Sequence, residues 1–344
     1  MKKTFTLIKI LIFFIIFGTV FFRTSDILAR KTSMGPPWNL GIKVRGFKNL
    51  EKNSVDILVL GSSHAYCSFV PTVIWEENKI NSYVFATQQQ SLKISYFYLM
   101  EALKTQNPKV VVVETLKFET DEKYVKEGIL RDAIDFLPNS FNKFRLINNS
   151  VRPKERITYY FNILKYHNRW KELKLSDFDN SYKKLVDPMR GYVYLNKKYI
   201  NNIDIEEIKL NKEKYKNSKY DLYKENIEYL DKIIKLSESK GFHLILLHAP
   251  MAMTEKDYLV QNSVEKYAKS KGIEYIDVNT EIKFDNNNDF YDFAHLNIFG
   301  AIKLTKYFSN YIKKYDLHPE YSETVEKQLN ESTKTVNYWI SLEK

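Results

Sequence analysis

Leu60-Gly61-Ser62-Ser63-His64 and Asp292-Phe293-Ala294-His295-Leu296-Asn297 lie far apart in the chain, yet together they hold the three side-chain types of a serine acyl-transfer site. A serine hydroxyl is a weak nucleophile until a neighbouring base takes its proton. A histidine serves as that base when its other ring nitrogen is held by an acceptor. Asp292, three residues before His295, can accept that second N–H within one loop turn. On spacing alone both Ser62 and Ser63 qualify as the nucleophile. A plain Gly-Ser-Ser turn, or a helix start capped by Asp292 or Asn297, would use the same residue types. Their joint occurrence is what points to chemistry.

Other candidates fall nearby. Thr87-Gln88-Gln89-Gln90 follows a short apolar run, and its backbone amides with Thr87, Gln89 and Gln90 are candidates for an oxyanion hole or for substrate contact. His64 and His248 are substrate-contact candidates outside the Ser-His-Asp set, and Glu114 is a weaker one of the same kind. The one cysteine, Cys67, excludes an intramolecular disulfide and is expected to pack behind the nucleophile. No Gly-rich phosphate loop, dinucleotide fingerprint or zinc-ligand spacing occurs, so no cofactor and no metal are expected.

These residues need elements to position them, and the chain alternates accordingly. Residues 55–60 read as a buried strand, 70–77 as a helix opened by Pro71, and 82–86 as a second strand. A helix over 91–105 stopped by Pro108 and a third strand at 110–114 follow. After a Lys-, Asn- and Tyr-rich stretch the pattern resumes, with helix 222–240, strand 243–248, helix 258–271, strand 275–278 and helix 299–314. Five strands alternating with helices predict an α/β fold, a doubly wound parallel sheet of three layers. In such sheets sites form at the carboxyl ends of the strands, where Ser63, Thr87, Glu114 and His248 all fall.

The domain order read from composition is an N-terminal transmembrane signal-anchor at 1–23, a linker at 24–50 holding Gly35-Pro36-Pro37, and a catalytic domain at 51–315. That domain carries a mostly helical insertion at about 118–220, including a helical stretch at 156–173, and a polar tail follows at 316–344. Hydrophobic residues make up 44% of the 344 residues and aromatics 15%, which excludes general disorder. The net charge of +11 is spread among acidic residues rather than gathered in a stripe, so nucleic-acid binding is not expected. Residues 4–22 are apolar apart from Lys9, with Lys2 and Lys3 before them and Arg23 after, long enough for a span. Small residues for a cleavage site are lacking, which favours an uncleaved anchor, with the N-terminus cytoplasmic and the domain outside the membrane.

Gly61-Ser62-Ser63 at a first strand end, with Asp292-x-x-His295 before the last helix, resembles the SGNH/GDSL hydrolase superfamily. The resemblance covers about residues 55–115 and 240–315. It implies a flavodoxin-like α/β sheet, with Ser63 as nucleophile, His295 as base and Asp292 orienting it. Residues 82–92 take the place of the family's second block, whose oxyanion-hole glycine reads here as Ala86 or Gln89. Glu114-Thr115-Leu116-Lys117 stands where the family's Gly-x-Asn-Asp block belongs and departs from it. With the membrane segment, the pattern resembles the anchored branch that includes alginate-type O-acetylation and teichoic acid D-alanylation proteins. That branch implies extracytoplasmic acyl transfer to a cell-surface polysaccharide or teichoic acid, beside a membrane-embedded O-acyltransferase. Esterase activity and a catalytically silent polysaccharide-binding subunit are the alternatives.

Overall fold

Strands β1 (Ile57–Leu60), β2 (Ser82–Val84), β3 (Val110–Glu114), β4 (His243–His248) and β5 (Glu274–Asp277) form one parallel sheet in the order β2-β1-β3-β4-β5. The structure is a computed structural model, and it describes residues 2–32, 38–119, 125–218 and 220–343. The Gly35-Pro36-Pro37 segment of the expected linker lies outside the described residues.

The central strands β1, β3 and β4 are mainly runs of β-branched and leucine residues buried on both faces, as parallel strands covered by helices must be. Alternation along each strand deals its side chains to two separate cores. Leu58, Leu60, Val111, Val113, Leu244 and Leu246 pack on one side with helices Leu92–Ala102 and Lys224–Lys240. Ile57, Val59, Val110, Val112, Ile245 and Leu247 pack on the other with helices Pro71–Asn78 and Ile298–Tyr311. This is the doubly wound, three-layer α/β arrangement. Its strand order reverses direction between β1 and β3, which opens a crevice at the carboxyl ends of those two strands.

Three stretches differ from the pattern-based expectation. Part of the expected linker is ordered: Leu40–Lys48 forms a helix whose Leu40, Val44 and Phe47 are buried. Residues 156–173 are not one helix but Arg156–Tyr160, Ile163–Tyr166 and a 3₁₀ run His167–Glu172. The break comes at Phe161, in a non-helical conformation, and the Ile163 N–H donates to Ser25 Oγ at 3.2 Å rather than into a helix. The insertion also supplies the core: Tyr192 and Val193 are fully buried, and the Val84 N–H donates to the Arg190 carbonyl. Gly191 lies so close to the Val84 backbone, at φ 90°, that a Cβ there would collide with it. In the tail, helix Glu323–Ser341 lies against Pro71–Asn78, where the Trp75 indole donates to Asn330 Oδ1 at 2.9 Å.

One further helix, Lys2–Leu28, meets the insertion near its carboxyl end, where Phe21 lies against Phe161 and Ser25 accepts the Ile163 N–H. Within it Thr4–Leu28 is apolar and long enough to cross a bilayer, with the large apolar side chains from Phe5 to Val20 exposed and Leu28 buried.

Candidate active site

Gly61 makes the turn off β1 at φ 150°, a conformation that side-chain-bearing residues rarely adopt. Its missing Cβ matters twice, because a methyl there would stand 2.7 Å from Glu114 Cβ. Ser62 then caps the helix Ser63–Ser68, its hydroxyl accepting the His64 N–H at 3.4 Å and donating to Glu114 Oε2 at 3.3 Å. Ser62 is therefore buried and occupied, while Ser63, the first residue of that helix, stays partly exposed.

Ser63 Oγ lies 2.8 Å from His295 Nε2. His295 Nδ1 lies 2.9 Å from both carboxyl oxygens of Asp292. Asp292 Oδ1 also accepts the backbone N–H groups of Ala294 and His295, each at 2.8 Å. Partial burial alone would raise the Asp292 pKa, but the His295 hydrogen bond and those backbone donors outweigh it and hold the carboxyl below its usual range. The ionised carboxylate draws the ring hydrogen to Nδ1 and leaves Nε2 to accept from the Ser63 hydroxyl. Of the two candidate serines, it is the Ser63 hydroxyl that faces the imidazole, while that of Ser62 faces Glu114.

His64 is 2% exposed, its ring centroid 5.1 Å from that of His295. Burial, then the neighbouring His295 and His248, push its pKa well below the ordinary value, so it is a neutral ring beside the site. His248 is wholly buried. Register places it opposite Asp277 on β5, and its Nδ1 lies 3.3 Å from Asp277 Oδ1. Burial would raise the Asp277 pKa, but His248 and Lys212, whose Nζ donates to Oδ2 at 2.8 Å, hold it well below the carboxylate range. Glu114, next to the Ser62 turn, is pushed up to about 7 by burial, against the opposing pull of His248 and the Leu116 N–H.

The Thr87–Gln90 loop differs from expectation in which side chains it presents. Thr87 Oγ1 donates to Gln90 Oε1 at 3.0 Å, and Gln90 Nε2 donates to Ser95 Oγ at 3.1 Å. Both residues are buried and hold the loop from inside, so their side chains are not open to substrate. Gln89 is exposed and sits at φ 48°, the left-handed conformation that favours glycine. Cys67 is buried in the core behind the serine helix, and burial pushes its thiol pKa well up. The residues that pattern reading missed are Ser62 as cap, and Asp277, Asn279 and Lys212 around His248. Asp277 at a strand end was a visible signal, whereas its partners come from other elements.

Comparisons with known proteins add little. No protein-family model matches the chain, and no curated protein matches it. Among solved structures it is similar to an active-site mutant of a family two carbohydrate esterase from Clostridium thermocellum, solved in complex with celluohexase. The match has 10% identity and a TM-score of 0.30, and it covers 77% of this chain and 65% of that one. The chain thus spans just under two thirds of that protein's solved length, and the likeness is too loose to carry an argument.

Proposed function

We propose that this chain is a membrane-anchored serine enzyme of the SGNH type, which takes an acyl group from an ester and passes it to a hydroxyl of a cell-envelope polymer. The observation that carries the reading is the unbroken hydrogen-bond chain Ser63–His295–Asp292, at 2.8 and 2.9 Å, at the crevice where the strand order reverses. His295 Nε2 removes the Ser63 proton as Oγ attacks the acyl carbonyl, and Asp292 stabilises the imidazolium that forms. The Ser63 N–H, at a helix start with no intrahelical acceptor, supports the developing oxyanion together with the Gln88–Gln89 loop. The imidazolium protonates the leaving alkoxide and an acyl-Ser63 ester remains. A polymer hydroxyl, deprotonated by His295, then attacks that ester and frees Ser63. Water in its place makes the same site an esterase.

Transfer is preferred because the span Thr4–Leu28 tethers the site where a membrane-embedded O-acyltransferase would deliver acyl groups, with the domain on the outer face. Acetyl is the first group to test and D-alanyl the next. The test uses the full chain in detergent with p-nitrophenyl acetate, following the burst and the intact mass, with Ser63→Ala as control. We expect an acetyl adduct and turnover in the wild type, and neither in Ser63→Ala. Turnover that survives Ser63→Ala would refute the nucleophile. If the wild type neither turns over nor forms an adduct, while Ser63→Ala cells still carry the modified polymer, a silent polysaccharide-binding subunit replaces the enzyme.

A further inference from the structure

Residues 156–185 carry an unusual surface for a segment folded onto a soluble domain. Leu175 is 93% exposed, Trp170 63% and Phe178 56%, and Leu164 and Leu185 are also exposed. Seven Lys and Arg residues against three acidic ones are interleaved with them. Apolar tips among long basic side chains are the composition of a surface lying in a lipid interface, where lysines snorkel to the headgroups.

The segment is also fastened to the helix Lys2–Leu28 near its carboxyl end. The Phe161 and Phe21 rings meet at 5.9 Å. Arg169 Nη1 donates to the Leu28 and Ala29 carbonyls at 2.6 and 2.7 Å, capping the helix, and Lys183 pairs with Asp26 at 2.5 Å. A hydrocarbon core of about 30 Å takes up roughly 20 residues at about 1.5 Å each, from Thr4 to Arg23. Residues 25–30 then lie roughly 3–10 Å beyond its edge, which is the depth of the headgroups.

At the same depth a cavity of about 260 Å³ is lined by five cationic side chains, among them Arg30, Arg45 and Lys48, against two carboxylates, Asp26 and Asp135. The Arg45 guanidinium lies between the Phe136 and Tyr182 rings, 4.8 and 4.7 Å from their centroids. Its Nε donates to the Gly41 carbonyl at 3.2 Å, and its Nη2, against Gly41, is buried without a hydrogen-bond partner among the described residues. A planar donor held between two rings, in a site with surplus positive charge, is suited to a phosphate oxygen.

We propose that residues 156–185 lie in the headgroup layer of the bilayer, and that the adjoining cavity takes the phosphate of an anionic phospholipid. The proposal rests on the reading of Thr4–Leu28 as a membrane span, and it makes part of the insertion a second membrane contact that holds the catalytic domain at a set height.

The test uses the full chain in nanodiscs of phosphatidylcholine with and without phosphatidylglycerol. Nitroxide labels at Ile12→Cys, Leu175→Cys and Glu331→Cys report collision with oxygen against a water-soluble nickel complex; Cys67 is buried and does not compete. Ile12 is expected to read as deep, Leu175 as interfacial and Glu331 as aqueous. An aqueous Ile12 refutes the span itself. A deep Ile12 with Leu175 as aqueous as Glu331 overturns the proposal alone.

Lipid retained by the full chain in native mass spectrometry tests the cavity. Phosphatidylglycerol should be retained over phosphatidylcholine, and Arg45→Gln should reduce that retention roughly tenfold, the worth of one charge-assisted contact. Lys48→Gln, at an exposed position, keeps the test usable if Arg45→Gln fails to fold. Equal retention of the two lipids, or binding of inorganic phosphate without lipid preference, overturns the headgroup assignment.

Discussion

Glu114 is the residue whose type and place conflict most. Its carboxyl is buried at the end of β3, beside the Ser62 turn, and is pushed up to about 7, against an ordinary value of 4.5. Below about pH 4.5 both native and unfolded chains carry its proton. Between 4.5 and 7 the native state keeps a proton that the unfolded chain has released, so stability falls as pH rises through that window and stays low above it. The full difference is on the order of 3 kcal/mol. Glu114→Gln keeps an oxygen for the Leu116 N–H and has no charge to bury. We expect it to match the wild type at pH 4.5 and to exceed its stability at pH 8, as urea unfolding of the full chain in detergent would show. A variant less stable than wild type at pH 8 would mean that the carboxylate itself is required. In the sequence Glu114 reads as a charged end to an apolar strand and a weaker substrate-contact candidate; its partners Ser62 and His248 lie on other strand ends.

At the scale of elements, the β1 turn is where geometry is tightest. Gly61→Ala adds a methyl 2.7 Å from Glu114 Cβ, at a φ that penalises any side chain. We expect a loss of roughly 2–4 kcal/mol in stability and, on the proposed function, a further loss of p-nitrophenyl acetate turnover, since Ser63 must shift with the turn. Thermal unfolding and p-nitrophenyl acetate turnover of the same preparation check this, and wild-type values in both would show that the turn relaxes freely. The strand-turn-helix unit was legible because its signals are local, an apolar run, then glycine, then a serine cap. The fracture of residues 156–173 was not, because it depends on Phe161 and Ile163 meeting Phe21 and Ser25 of a distant helix.

For the whole molecule, the tail is the clearest case of integration. Tyr321 donates to Asp56 Oδ2 at 2.6 Å and accepts the Asn81 N–H at 2.7 Å, while Val325 and Leu329 bury Trp75. Deleting residues 316–344 should therefore cost at least about 3 kcal/mol and expose Trp75. A red shift in tryptophan emission and a lower Tm of the truncated chain are the expected results; an unchanged Tm would make the tail an appendage. The polar composition of the tail hid this, because its few apolar residues recur at helical spacing on one face only.

The sequence by itself determined what depends on neighbours a few residues apart. That includes the alternation of strands and helices, the apolar N-terminal helix, and the Asp292–His295 spacing that one loop turn can close. The tertiary structure decided what depends on register and strand order. It set Ser63 rather than Ser62 on the imidazole, turned Thr87 and Gln90 inward, and brought Asp277 beside His248. It also folded the insertion into the core and onto the apolar N-terminal helix. The reason is physical: periodicity encodes which face a side chain takes, whereas the partner it meets there is chosen by the packing of the whole sheet and its helices.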